Sequence, residues 1–199
     1  DMQAISEIPE LNDIGVTRAM VVQAWKGITF LGNVEMDGTR IQQRLVWSAL
    51  NNPFSWVPTN ASVAGYQDLD TGEKILAMEP LSNYLLIYTN RGIWQATVVG
   101  GAATFSFQKL YSEPKTGEGC LAYRNTLVST GVEHIYVGRD GIFAFNLFTP
   151  KPERVQWLNN AAYLMLSNLD QSVCESHIAY YEPTSRSYWL SLIELPMTG

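Results

Sequence analysis

The chain has 199 residues, of which 46% are apolar and 16% charged, with a formal net charge of −6, an isoelectric point near 4.9 and a mean hydropathy of −0.05. That length can bury a sizeable core, and the composition excludes a disordered tail, which would carry more charge and less apolar surface. The acidity and the scattered basic residues exclude a surface built to grip phosphate, since non-specific nucleic-acid affinity comes from Lys and Arg displacing counterions.

Aromatic residues make up 12% of the chain, with 6 Trp and 10 Tyr, and favour strands, where flat rings pack well on a pleated surface. Cys120 and Cys174 are too few and too far apart for a disulfide framework or a zinc site and are expected to be buried thiols. No stretch approaches the roughly 18 apolar residues of a membrane span, and no basic start precedes an apolar run, so a soluble protein without an export signal is expected. The ends of the sequence read as those of a piece of a longer polypeptide.

Residues 1–14 contain Pro9 and no clear period, and are read as an incoming connector to a β segment over 15–199. Ala19–Trp25 and Ile28–Leu31 flank Lys26-Gly27, where glycine supplies the positive φ of a tight hairpin turn. Asp37-Gly38 leads to a strand at Arg44–Ser48. Tyr84–Tyr88 turns at Asn90-Arg91-Gly92 into Ile93–Val99, and Gly100-Gly101 turns again into Thr104–Phe107. Such short apolar runs between turn residues predict antiparallel strands rather than βα units.

The most informative feature is an internal echo. Thr89-Asn90-Arg91-Gly92-Ile93-Trp94 is matched by Gly138-Arg139-Asp140-Gly141-Ile142-Phe143, with Gly92 and Gly141 separated by 49 residues. A weaker third copy runs from Ile178–Tyr181 through a turn to Tyr188–Ile193, with Trp189 in its second strand. A period of about 49 predicts an all-β fold of β-propeller type, built from four-stranded blades that bury their faces only by stacking. The segment 158–170 interrupts the pattern, with Leu158, Ala162, Met165 and Leu169 at helical spacing, and predicts one short inserted helix.

Groups for chemistry are sparse. The two histidines, His134 and His177, are expected as ordinary strand residues. Asp68-Leu69-Asp70-Thr71-Gly72-Glu73 begins like a calcium loop, with Glu79 at the twelfth position. Gly72 and Glu73 then break the ligand pattern, and a solvated turn is expected instead. Glu113, Glu118, Glu133 and Asp140 leave a glycoside hydrolase open, which would need two carboxylates about 5 or about 9 Å apart. The expectation is a protein that is not an enzyme, with no catalytic, cofactor-binding or metal-binding residues.

Leu45-Val46-Trp47-Ser48-Ala49-Leu50-Asn51-Asn52-Pro53-Phe54-Ser55-Trp56, followed by the two echoed strand pairs, the Gly-rich link Thr116-Gly117-Glu118-Gly119 and the pair ending Tyr188-Trp189, resembles large tail proteins of bacteriophages. The likeness spans about residues 15–193 and implies a nozzle or hub protein of a short-tailed phage, similar to the tail tubular protein B and packaged-DNA-stabilisation families. It implies a structural virion protein of the tail, assembled in the host cytoplasm. It further implies a homo-oligomeric ring around the DNA exit channel, with other tail or adaptor proteins as partners. Genome DNA would pass through without sequence-specific binding, as suits an acidic wall.

Under that resemblance Trp47, Trp56 and Trp94 pack blades, Gly92 and Gly141 serve turns, and Ile93, Ile142, Phe143 and Trp189 complete the repeat. Family members are several times larger, so the chain is either a fragment or a reduced relative with an open or four-bladed propeller. The alternative reading is a propeller module of a receptor-binding tail component, whose aromatic-rich rim holds a carbohydrate or a protein.

Overall fold

A computed structural model describes residues 9–59, 62–100, 104–113, 115–149, 151–155, 169 and 175–193. The fold is all-β and antiparallel. The chain divides into two compact units, Asp1–Ile75 and Leu76–Gly199. The expected helix over 158–170 lies outside the described residues apart from Leu169, which is buried, and Cys174 lies outside them too.

The first unit holds a short helix, α1 (Pro9–Asp13), and a four-stranded meander of β1 (Val16–Trp25), β2 (Ile28–Met36), β3 (Thr39–Trp47) and β4 (Gly65–Asp68). Two residues suffice for the first turn because Lys26 and Gly27 both take positive φ, 49° and 75°, the mirror-image turn whose twist matches paired strands. Asp37 and Gly38 repeat that geometry between β2 and β3. A bulge between Gly32 and Val34 lets β2 keep Leu31 and Val34 on one face. That face packs with Val16, Val46 and Trp56, and Leu11 and Ile14 close over it. Within the expected connector 1–14, Pro9–Asp13 therefore form a helix, and Leu11 and Ile14 cover a sheet.

The second unit begins with the meander β5 (Ile75–Leu81), β6 (Tyr84–Thr89), β7 (Gly92–Val98) and β8 (Phe105–Ser112), whose first residue closes the preceding unit. A second meander follows, β9 (Val128–Ser129), β10 (His134–Val137), β11 (Ile142–Phe145) and β12 (Glu153–Arg154), and then a hairpin, β13 (Ile178–Glu182) and β14 (Ser187–Ser191). The three elements of this unit stack. Ala77, Leu81, Leu86, Tyr88 and Ile93 of the first sheet meet Tyr136, Phe143 and Phe145 of the second. The opposite face of the second sheet, with Val137 and Ile142, meets Tyr188, Leu190 and Leu192 of the hairpin, and Tyr123 and Leu169 fill the seam.

The echo is reproduced in the register. Tyr88 pairs with Ile93 and Val137 with Ile142, each across four intervening residues, and the next pairs out, Ile87 with Trp94 and Tyr136 with Phe143, match as well. Each sheet of the stack thus presents one face, carrying Leu86, Tyr88 and Ile93 or Ile135, Val137 and Ile142, to the reverse face of the next. Side-chain alternation makes that order obligatory, since a one-residue slip would exchange the two faces.

Candidate functional site

The positions singled out in the sequence fall into distinct places. Ile93, Ile142 and Phe143 are buried in the stack. Trp94 is half-buried, with the Lys109 ammonium 5.1 Å from its ring centre, and Phe143 carries the Arg154 guanidinium at 5.7 Å. The fourth strand of each sheet therefore lays a cation on the echoed aromatic of the third. Arg154 is also hydrogen-bonded to Asp140 in the β10–β11 turn, which Gly141 closes through its carbonyl to the Gly138 N–H.

Gly92 has a different role from the expected turn residue. Its φ lies outside the left-handed region, and an added Cβ would stand 2.3 Å from the backbone oxygen of Tyr111. Close approach of β8 is what demands glycine there. Gly92→Ala is expected to destabilise the protein by about 1–3 kcal/mol through this overpacking, read as a lowered urea midpoint.

Trp47 and Trp56 belong to the first unit. Trp47 donates its indole N–H to the Val63 carbonyl at 2.7 Å and tilts against Phe30. Trp56 donates to the Pro53 carbonyl at 2.8 Å, and its backbone N–H donates to Glu10 Oε2 at 2.7 Å. That bond holds the Glu10 carboxyl below its ordinary range. Beside Trp56 lies an apolar cavity of about 160 Å³ lined also by Ile14, Met36, Val46, Pro58, Gly65 and Tyr66.

Trp189 does not share the echoed position. Glu182 pairs with Ser187 across four residues, so Glu182 and Ser187 stand where Val137 and Ile142 stand, and Tyr188 takes the place of Phe143. Tyr188 packs inward and donates its hydroxyl to the Thr126 carbonyl at 3.0 Å. Trp189 points the other way and is 64% exposed, opposite Tyr180 at 58% and two residue pairs from Ile178 at 55%.

Both histidines are buried, and each has ring contacts that a plain strand residue would lack. His134 Nε2 lies 3.1 Å from the Pro80 carbonyl and Nδ1 lies 2.9 Å from the Tyr88 hydroxyl. A carbonyl can only accept, so Nε2 carries the hydrogen and Nδ1 accepts from Tyr88. Burial lowers the His134 pKa to about 4 and pushes the hydroxyls of Tyr88 and Tyr136 well up. His177 Nδ1 accepts the Ile193 N–H at 3.1 Å, and its ring meets Tyr123 edge-on. Cys120 is buried.

Several of the carboxylates weighed for chemistry are engaged in local structure. Glu113 caps the N–H groups of Lys115 and Thr116, and Asp68 forms a two-pronged pair with Arg44 at 2.6 Å. Glu73, expected in a solvated turn, is only 2% exposed: Gly72 takes a φ of 82° and the Glu73 N–H bonds the Asp70 carbonyl, which folds the side chain inward. Among the described residues no cluster of metal-ligating side chains occurs, and no helix is long and apolar enough to cross a membrane.

Two surfaces of the second unit stand out. Val98 and Val99 leave β7, Val132 lies between β9 and β10, and Phe148 follows β11, with exposures of 45, 53, 74 and 94%. All four lie at the end of the sheets where β6 and β10 begin, the end at which Pro80 meets His134. That end is the apolar rim of the two sheets. The outward face of the β13–β14 hairpin is the other surface. Neither was singled out in the sequence, because the rim residues belong to separate connections and the exposed face emerges only from the hairpin register.

No protein-family model matches the chain, and no curated protein matches it.

Proposed function

We propose that this chain is a structural component of a phage tail, of the nozzle or hub kind, which works by assembling with other virion proteins. In this reading its sheets are blades of a β-propeller, and copies of the chain take part in a ring around the path of the genome. Three things support it: the resemblance carried by Leu45–Trp56 and the repeated strand pairs, the four-stranded meanders, and their stacking in one sense.

The observation that carries assembly is the apolar rim of Val98, Val99, Val132 and Phe148. Isolated exposed apolar residues are ordinary, but four at the same end of two stacked sheets offer apolar area of the type that protein contacts cover. A propeller's rim is also the part left free when its faces are consumed by stacking. Nucleic acid fits the same rim poorly, since it offers apolar carbon rather than paired cations.

The test joins composition with a variant. The chain should be found by mass spectrometry in purified particles of the phage that encodes it, and native mass spectrometry of the complete protein should show oligomers. Val132→Asp with Phe148→Asp should leave the circular dichroism unchanged and cut incorporation into particles at least about ten-fold, as expected for loss of about 1.4 kcal/mol or more at the contact. Absence of the protein from particles, or incorporation that ignores the double substitution, would overturn the assignment.

A further inference from the structure

We propose that the outward face of the β13–β14 hairpin is a saccharide-binding platform, on which Tyr180 and Trp189 stack against the apolar face of an uncharged pyranose ring. The inference concerns a different surface from the rim, so it stands or falls separately from the assembly reading.

Its starting point is the contrast between this face and the faces sealed inside the stack. The second sheet offers the hairpin Ile135, Val137 and Ile142, all aliphatic. The first sheet offers Leu86, Tyr88 and Ile93 to the second. At the two positions nearest the turn, where the sealed sheets hold Tyr88 and Ile93 or Val137 and Ile142, the hairpin holds Glu182 and Ser187. Ser191 stands opposite Ile178 on the same face. A further sheet laid dry on this surface would strip water from a carboxylate and two hydroxyls, at a cost that apolar contact does not repay without new partners. The face is therefore built to stay wet while still offering two large rings.

That combination matches the chemistry of sugars. A pyranose has an apolar C–H face and a periphery of hydroxyls that both donate and accept. Tyr180 and Trp189 are a directly opposed cross-strand pair, so their exposed rings adjoin over one shallow groove of about 230 Å³, lined also by Ile178, Ala179, Leu190 and Ser191. The Tyr180 hydroxyl lies 3.4 Å from Glu182 Oε2, to which it donates, and the Thr184 N–H holds the other oxygen of that carboxylate at 3.0 Å. The rings thus form the floor, and the Ser187 and Ser191 hydroxyls with the Glu182 carboxylate supply polar groups along the strands. Charge selects the ligand. The backbone N–H of Thr184 holds the Glu182 carboxyl below its ordinary range, so at neutral pH a fixed anion borders the groove and opposes sialylated, sulfated or phosphorylated ligands.

The experiment uses the complete purified chain on an array of neutral and anionic oligosaccharides, with calorimetry on any positive. Binding to a family of neutral hexose oligosaccharides is expected, weakened about ten-fold or more by Trp189→Ala and by Tyr180→Ala and partly retained in Trp189→Phe. Thermal unfolding of the variants should match the parent, because both side chains face solvent. An array without neutral positives, binding to anionic glycans alone, or neutral-sugar binding indifferent to Trp189→Ala would each overturn the proposal. A displayed peptide library enriched by the parent and lost in Trp189→Ala, with the array silent, would assign the face to a peptide instead.

Discussion

Replacing Trp56 by alanine should remove about 3–5 kcal/mol of stability, among the largest losses available to a single substitution in this chain. Trp56 is 2% exposed and fills the space between the β-sheet of the first unit and the cover formed by Leu11 and Ile14. Truncation would enlarge a cavity of about 160 Å³ that already lies beside the ring, so there is little material to collapse into the gap. It also leaves the Pro53 carbonyl without the indole N–H. The backbone bond to Glu10 survives in principle, but it loses the packed ring that holds its geometry. Trp56→Phe separates the contributions: most apolar contact returns, and a residual loss of about 1–2 kcal/mol should report the hydrogen bond and the smaller ring. Urea unfolding of the two variants measures both. A loss below about 1 kcal/mol for the alanine variant would mean that the cover does not depend on this side chain.

Acid should weaken the protein through His134. In the unfolded chain this imidazole titrates at its ordinary 6.5, whereas burial in the folded chain lowers it to about 4. Between these values the unfolded state binds a proton that the folded state refuses, so stability falls as pH drops from about 6.5 to about 4 and the effect is complete below that. The interval corresponds to a loss of about 3 kcal/mol at most. Protonation would place a second hydrogen on Nδ1, which accepts from Tyr88, and would leave a charge between stacked sheets.

His134→Gln retains a donor and an acceptor without a titrating nitrogen, and its stability should vary less over the same window. Burial raises Glu79, whose neutralisation favours the folded state as pH falls, while hydrogen-bonded Glu10 and Glu182 are lowered and act in the opposite direction. These groups are common to parent and variant, so the difference between the two pH curves isolates His134. Parallel curves would show that the imidazole does not govern acid sensitivity.

Much of the chain's architecture is readable where backbone geometry forces a residue choice. Lys26-Gly27 and Asp37-Gly38 announce hairpins because both positions of the turn require positive φ. The 49-residue echo is readable for a related reason: the same four-residue connection recurs between Tyr88 and Ile93 and between Val137 and Ile142, with matching register. The short strands β9 and β12 contain two residues each, too few to display alternation, and β5 hides behind Pro80 within its run.

The candidate surfaces were harder to read than the strands. Tyr188 and Trp189 are adjacent aromatics, and composition cannot say which one continues the repeat. The pairing of Glu182 with Ser187 decides it, and one residue of difference separates a packed side chain from an exposed platform. The rim escaped notice for another reason. Val98, Val132 and Phe148 lie far apart in sequence in connections that look like ordinary loops, and only the shared end of two meanders gathers them.

The brevity of β9 and β12 has a consequence for how this protein avoids uncontrolled growth. They are the outer strands of their sheet, and two residues offer too short a template for another chain to pair with. Glu153 and Arg154 further mark β12 with charge, while Lys109 on β8 does the same for the neighbouring sheet. Runaway strand addition of the amyloid type is thereby discouraged at these borders, leaving side-chain surfaces to choose partners where repeated backbone pairing would accept almost any chain.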